Sequence, residues 1–183
     1  MSQVEKVRLE PFNRDRDAGL LAGWLKRTHV ARWWGDPDTQ IKAVLELPVG
    51  GGDALIVADG VAVGNIRWQR PSRSELEAAG LTEIPDGTMD IDIAIGEEDY
   101  TGLGIGSRAL RLLINELVTD SSIPLIMLCT SVDNAMAIRA YEKVGFRCVR
   151  TFIEEGLGEM WLMTLDKTLW DKGPVPSPCP KSK

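Results

Sequence analysis

Residues Met89–Leu117, MDIDIAIGEEDYTGLGIGSRALRLLINEL, carry the pattern that decides the architecture. They read in order as an alternating strand, an acidic turn, a glycine loop and an amphipathic helix. Successive side chains of a strand point to opposite faces, so Asp90 and Asp92 share one face and Ile91, Ile93 and Ile95 the other. Gly102, Gly104 and Gly106 then open the helix. Glycines at a helix N-terminus leave the first N–H groups uncovered, and the helix dipole adds positive potential at the same point. Such a loop can serve as an anion site; the plain alternative for the same glycines is a turn that only starts a helix. An anion cradle beside strand carboxylates points to transfer of a group from a phosphate-bearing carrier to a basic acceptor.

The glycines fit neither common nucleotide motif. A Walker loop continues Gly-Lys-Ser/Thr, whereas Gly106 is followed by Ser107 and Arg108. A dinucleotide fingerprint counted from Gly102 or Gly104 puts Ser107 or Ala109 where its third glycine belongs. The strand before the loop is also acidic on one face, and a buried parallel strand of a doubly wound sheet is apolar on both.

Outward from this segment, Val7–Phe12 reads as a strand and Asp15–Arg27 as a helix with leucines and Trp24 at helical spacing. Thr39–Leu47 is a second short helix, closed by Pro48 and a glycine run. Ala54–Ala58 and Val61–Trp68 flank Asp59-Gly60, a two-residue hairpin signal. Residues Pro71–Gly87 form a long excursion over the sheet. Between Pro71 and Asp99 the acids Glu75, Glu77, Glu83, Asp86, Asp90, Asp92, Glu97, Glu98 and Asp99 face one base, Arg73. Pro124–Thr130 is an apolar strand, Asn134–Val144 a helix stopped by Gly145, and Phe146–Glu154 with Glu159–Leu165 a closing hairpin. The order predicts an α/β domain around one mixed sheet.

The length of 183 residues suits a single domain, taken as 1–172, with the Pro-rich 173–183 as a flexible tail. The net charge of −6 argues against nucleic acid, whose binding rests on Lys and Arg, and suits a cationic small molecule. No apolar run reaches the ~20 residues of a membrane span. One histidine, His29, and the widely spaced Cys129, Cys148 and Cys179 give no metal-ligand pattern. The odd cysteine count, with no apolar leader segment, predicts a reducing, cytoplasmic location.

YTGLGIGSRAL (Tyr100–Leu110) followed by SVDNAMAIRAYEKVGF (Ser131–Phe146) resembles the GNAT acyl-CoA N-acyltransferases. Their central loop reads Arg/Gln-x-x-Gly-x-Gly/Ala, and their next helix carries Asn-x-x-Ala-x-x-x-Tyr-x-x-x-Gly-Phe. Here Asn134, Ala137, Tyr141, Gly145 and Phe146 stand in the second pattern, while Thr101 departs from the first. The segment WLKRTHVARWWG (Trp24–Gly35) further resembles the aminoglycoside 6′-N-acetyltransferases, and lysine N-acyltransferases of siderophore pathways share a related His-x-x-x-Trp signature. The resemblance implies a central sheet of about seven strands, splayed between the fourth and fifth, with about four flanking helices. It also implies acetyl-CoA as co-substrate, an amine acceptor that is an aminoglycoside, and a monomer or homodimer.

By the same resemblance, Asp92 stands where a carboxylate acts near the reacting amine, and Tyr141 where a tyrosine lies near the CoA sulfur. Acetyl-CoA is expected beside Ile93, Ala94 and Ile95, with its diphosphate on Thr101, Gly102, Leu103, Gly104, Ile105, Gly106 and Ser107 and its pantetheine near Asn134 and Ala137. The acceptor is expected against Trp33, Trp34, Asp36, Glu77, Asp90 and Asp92. The chemistry agrees. An alkyl ammonium has a pKa near ~10 and must lose a proton before attack, which a carboxylate can accept. A phenol can protonate or hold the leaving thiolate, and indoles suit sugar rings or an ammonium. No Ser or Cys dyad supports an acyl-enzyme. Two alternatives stay open: acylation of a siderophore hydroxylysine or polyamine, and an acyl-CoA-binding module without catalysis.

Overall fold

The computed structural model describes residues 4–172 and 179–180. One sheet contains β1 (Val7–Pro11), β2 (Gly52–Ala58), β3 (Val61–Gln69), β4 (Met89–Ile95), β5 (Ile126–Ser131), β6 (Arg147–Glu154) and β7 (Gly158–Leu165). Their spatial order is β1-β2-β3-β4-β5-β7-β6. Among the described residues β4 and β5 are the one parallel pair. The Asp59-Gly60 hairpin forms as expected, with φ of 47° and 89° at its two turn residues.

Six α-helices flank the sheet among the described residues: α1 (Arg14–Leu25), α2 (Thr28–Trp34), α3 (Pro37–Leu45), α4 (Arg73–Ala78), α5 (Ile105–Leu117) and α6 (Ala135–Val144). The sequence pattern suggested about four. The additional helices, α2 and α4, bury only Val30 and Leu76 respectively, too little to leave a periodic stripe. In α4 the Ser72–Glu75 capping box supplies what propensity does not.

The alternation of β4 decides the layering. Met89 and Ile91 enter the main core with Ile105, Ala109 and Leu113 of α5 and Tyr141 of α6. On the other face Ala94 joins Leu21, Trp24 and Leu25 of α1, Val30 of α2 and Val44 of α3. Farther along that face, Leu76, Leu81 and Ile84 cover Met127 and Leu162. The excursion at 71–87 is thus a packed cover over the β5–β7 half of the sheet. Asp90 and Asp92 lie between these two covers.

Two features concern the chain end. Cys148 on β6 is joined to Cys179 by a disulfide, with Cα atoms 5.3 Å apart, which corrects the expectation of unpaired thiols; Cys129 remains free. Apart from Cys179 and Pro180, the expected tail at 173–183 lies outside the described residues. Among the described residues no helix is long and apolar enough to cross a membrane.

Candidate active site

The site begins where a ladder stops. β4 pairs with β3 from Gly64↔Ile95 to Gln69↔Asp90, but with β5 only at Met89↔Ile126 and Asp90↔Met127. Beyond Asp90 the parallel strands part, and the β5-facing edge of Ile93, Ala94 and Ile95 has no ladder partner. A cleft of about 1030 Å³ occupies this splay, and these three residues line it.

At one end of the cleft lies the glycine loop. Gly102 and Gly104 have φ of +73° and +75°, a conformation that L side chains resist. Gly104 is the N-cap of α5, no side chain caps that end, and its first turn holds no acid. The amides of Ile105, Gly106 and Ser107 are left to face the cleft these residues line. Neighbouring side chains are held back. Thr101 Oγ1 donates to the Glu98 carbonyl at 2.8 Å, and Ser107 Oγ to the Ala140 carbonyl at 3.2 Å. A carbon added at Gly106 would lie 3.8 Å from Ile93 Cδ1, so loop and strand are neighbours. Leu103 instead packs against the main core. Arg139 and Lys143 of α6 add positive charge to the cleft wall, a contribution not foreseen from the motif.

Asp92 and Asp90 stand at the centre. The Asp92 carboxylate makes no hydrogen bond or ion pair among the described residues, so its acceptor capacity is free. Burial raises its proton affinity, the Arg67 charge opposes this, and the Asp53 charge adds to it. Asp90 is pushed well above the ordinary carboxylate range, first by burial, then by Asp92, with Glu154 and Glu75 contributing further repulsion. Arg67 therefore makes Asp92 the member of the pair better able to remain ionised.

From the other face of the sheet, Tyr141 of α6 reaches the same cleft. Its ring packs edge-on to Phe146 with centroids 6.3 Å apart. The hydroxyl makes no hydrogen bond among the described residues, and burial, then the Asp92 and Cys129 charges, raise its proton affinity. Tyr141 thus stays a donor. Asn134 caps α6, its Oδ1 accepting from Ala137 N–H at 3.2 Å, which leaves its Nδ2 group for the cleft that both residues line.

The other half of the cleft is walled by α2, α4 and the tip of the β6–β7 hairpin. Trp33 and Trp34 both line it; the Arg32 guanidinium lies 4.5 Å over the Trp33 ring, and Trp34 also packs into the α1–α3 cluster. His29 Nε2 hydrogen-bonds the Ile95 carbonyl at 3.1 Å and so ties α2 to the end of β4. Trp24 Nε1 and Arg27 both donate to Glu97, fixing α1 to the same place.

Two expected acceptor residues fall elsewhere. Asp36 is exposed and serves as N-cap of α3, its Oδ2 accepting from Thr39 N–H at 2.9 Å. Glu77 points to solvent outside the lining, while Glu75, two residues earlier, lines the cleft. Two of the four acids of the excursion are ion-paired, Glu83 with Arg150 of β6 at 2.6 Å and Asp86 with Arg73 at 2.5 Å. Glu154 and Phe152 of β6, with Leu157 and Met160, complete the wall. Their motif-free positions gave no local signal. No group of three or more His, Cys, Asp or Glu among the described residues could hold a metal.

Comparison with known proteins bears on the family and the fold. A family model described as an acetyltransferase (GNAT) domain matches residues 13–153. This chain belongs to the GNAT family and is an acetyltransferase. Among curated relatives, it is 24% identical over 155 residues to the aminoglycoside N(6′)-acetyltransferase type 1 of Klebsiella pneumoniae, covering 72% of this chain and 70% of that one. Over 64 residues it is 34% identical to a kanamycin resistance protein of Rhizobium radiobacter, covering 35% of this chain and 59% of that one. Its fold matches AAC(6′)-Ib in complex with ribostamycin and coenzyme A, with a TM-score of 0.77 and 22% identity over 94% of this chain and 100% of that one. It also matches the aminoglycoside N(6′)-acetyltransferase of Legionella pneumophila, with a TM-score of 0.70 and 19% identity over 94% and 97% of the two chains.

Proposed function

We propose that this chain is an acetyl-CoA-dependent aminoglycoside 6′-N-acetyltransferase that works by direct transfer. The observation that carries this reading is the meeting, in one cleft, of the uncapped α5 N-terminus, the unpaired Asp92 carboxylate and the Tyr141 hydroxyl. Acetyl-CoA lies in the splay beside Ile93–Ile95, its diphosphate on the amides of Ile105, Gly106 and Ser107 and its pantetheine beside Asn134 and Ala137. An acceptor ammonium binds between Asp92 and Asp90, with Trp33 and Trp34 against its sugar ring.

Asp92 takes a proton from the ammonium, directly or through water, and the neutral amine attacks the thioester carbonyl. The new C–N bond forms, the C–S bond breaks, and Tyr141 donates a hydrogen bond to the departing thiolate. The proton left on the new amide nitrogen passes through water to that thiolate, giving the free thiol of coenzyme A, and Asp92 returns its own proton to solvent. Acetylation removes a positive charge from the drug, which weakens its hold on an anionic target. A cytoplasmic setting follows from the co-substrate.

A second reading keeps the same cleft with a siderophore hydroxylysine or polyamine acceptor. It gains from the pairing of Glu83 and Asp86 with arginines, which leaves fewer free carboxylates to draw in a polycation. Thiol release from acetyl-CoA, scored against kanamycin-type aminoglycosides, polyamines and hydroxylysine compounds, decides between them. The first reading expects turnover with the aminoglycosides above all others. Turnover confined to hydroxylysine or polyamines would replace it, and coenzyme A binding without any turnover would reduce the chain to a binding module.

A further inference from the structure

One buried charge lies under the reacting site without belonging to it. Arg67 of β3 stands directly opposite Asp92 of β4, and residues paired in this way share a face of the sheet. Its side chain is only 7% exposed, and its position is over-determined. Nη1 donates to the Val44 carbonyl at 3.1 Å and the Glu46 carbonyl at 3.0 Å, at the C-terminal end of α3, where the helix dipole favours a cation. Nη2 reaches Gln69 Oε1 at 3.3 Å. On the far side, Asp53 of β2 is 3.6 Å from Arg67 and 2.6 Å from Arg14 of α1. A row of fixed charges, Arg14–Asp53–Arg67, therefore ends opposite the Asp92 carboxylate.

We propose that Arg67 is a positioning residue for acetyl transfer: a permanent positive charge, clamped by the end of α3, that keeps Asp92 in its proton-accepting form inside the closed cleft. Asp53 tempers that charge from the other side. The proposal rests on the direct-transfer reading, because it acts only through Asp92. An arginine suits the role, since it keeps its proton under all working conditions while Nη1 holds two carbonyls and Nη2 reaches Gln69.

Other titratable groups also face Asp92 and its neighbour. Asp90 lies on the same strand, Cys129 on β5 and Tyr141 on α6, while Glu154 of β6 and Glu75 of α4 act on Asp90. Of the charges that act on Asp92 from the neighbouring strands, Arg67 stabilises its ionised form and Asp53 opposes it. The two predict shifts of opposite sign, which a mere clamp between β3 and α3 does not.

The test is the pH profile of kcat/KM for acetylation of kanamycin, read by thiol release, in the full-length protein. Activity requires ionised Asp92, so the acid limb marks its titration. Arg67→Gln is expected to move that limb to higher pH by roughly one unit, about a tenfold loss on its acid side. Arg67→Lys keeps the charge and is expected to leave the limb near wild type. Asp53→Asn is expected to move it to lower pH. An unmoved limb in Arg67→Gln, or shifts of the same sign in Arg67→Gln and Asp53→Asn, would overturn the proposal. If Arg67→Gln does not fold, the sign of the Asp53→Asn shift decides alone. Asp92→Asn separates the two levels: if it keeps the acid limb, the base reading itself fails, whereas loss of the limb leaves Arg67 to be judged by its own variants.

Discussion

Asp92 and Tyr141 enter one cleft from opposite faces of the sheet, through the gap left where β4 and β5 part after Asp90. The two are electrostatically linked, because the Asp92 charge is among the causes that hold the proton on the Tyr141 phenol. A carboxylate that accepts a proton and a phenol that keeps one are the complementary needs of amine attack and thiolate departure.

In the proposed reaction Tyr141 acts on the leaving group, so its removal should be felt in the chemical step. Tyr141→Phe keeps the ring and its contact with Phe146. Single-turnover acetylation should slow about tenfold or more, while the acetyl-CoA dissociation constant changes little. Wild-type rates would remove the hydroxyl from the mechanism.

Gly104 has a different task. At φ +75° it has open space around a would-be Cβ, so crowding within the protein is not the obstacle. A branched residue there must leave the left-handed conformation, at a cost of about 1–2 kcal/mol, or hold a strained loop. Its side chain would also stand where a diphosphate approaches the amides. Gly104→Val should weaken coenzyme A binding in calorimetry by more than an order of magnitude, with the fold intact by circular dichroism.

The proposed acceptor wall gives a paired expectation. Glu154 lines the cleft and acts on Asp90, whereas Glu77 points outward. Glu154→Gln should raise KM for an aminoglycoside roughly threefold to tenfold at low salt with little change in kcat. Glu77→Gln should leave both constants unchanged, and equal effects would show that only general surface charge matters.

Gly96 joins stability to the site. A Cβ there would sit 2.0 Å from Trp24 Cγ, and that indole is buried and bonded to Glu97. Overpacking of this kind costs about 1–3 kcal/mol, so Gly96→Ala should lower Tm by roughly 5 °C. It should also lower activity, since the neighbouring Ile95 carbonyl holds His29 and the Gly96 carbonyl holds Arg27.

The sequence made the β4–α5 unit legible because its signals are local. Alternation around Asp90 and Asp92, the glycines at 102, 104 and 106, and the Asn134–Phe146 pattern each act within one element and its neighbour. Asp36 shows how a local signal can be misassigned. An Asp before Pro37 is first of all a helix cap, and the cap uses its oxygen. Glu75 and Glu77 differ only in helical phase, and a six-residue helix anchored by Leu76 alone fixes that phase by packing. Glu154 and Leu157 arrive through a tertiary contact: the hairpin tip meets α2 so closely that a Cβ on Gly35 would lie 3.0 Å from Leu157. Arg67, too, takes its meaning from register across three strands, which no single segment encodes.

The most direct measurement is the pH dependence of kcat/KM for acetyl transfer to kanamycin, compared between the wild type and Asp92→Asn. The wild type should lose activity as pH falls through the titration of Asp92. The variant should be slower by about 100-fold or more near neutral pH and should lack that acid limb. An Asp92→Asn enzyme with wild-type rates and an unaltered profile would contradict the assignment of Asp92 as the group that receives the amine proton.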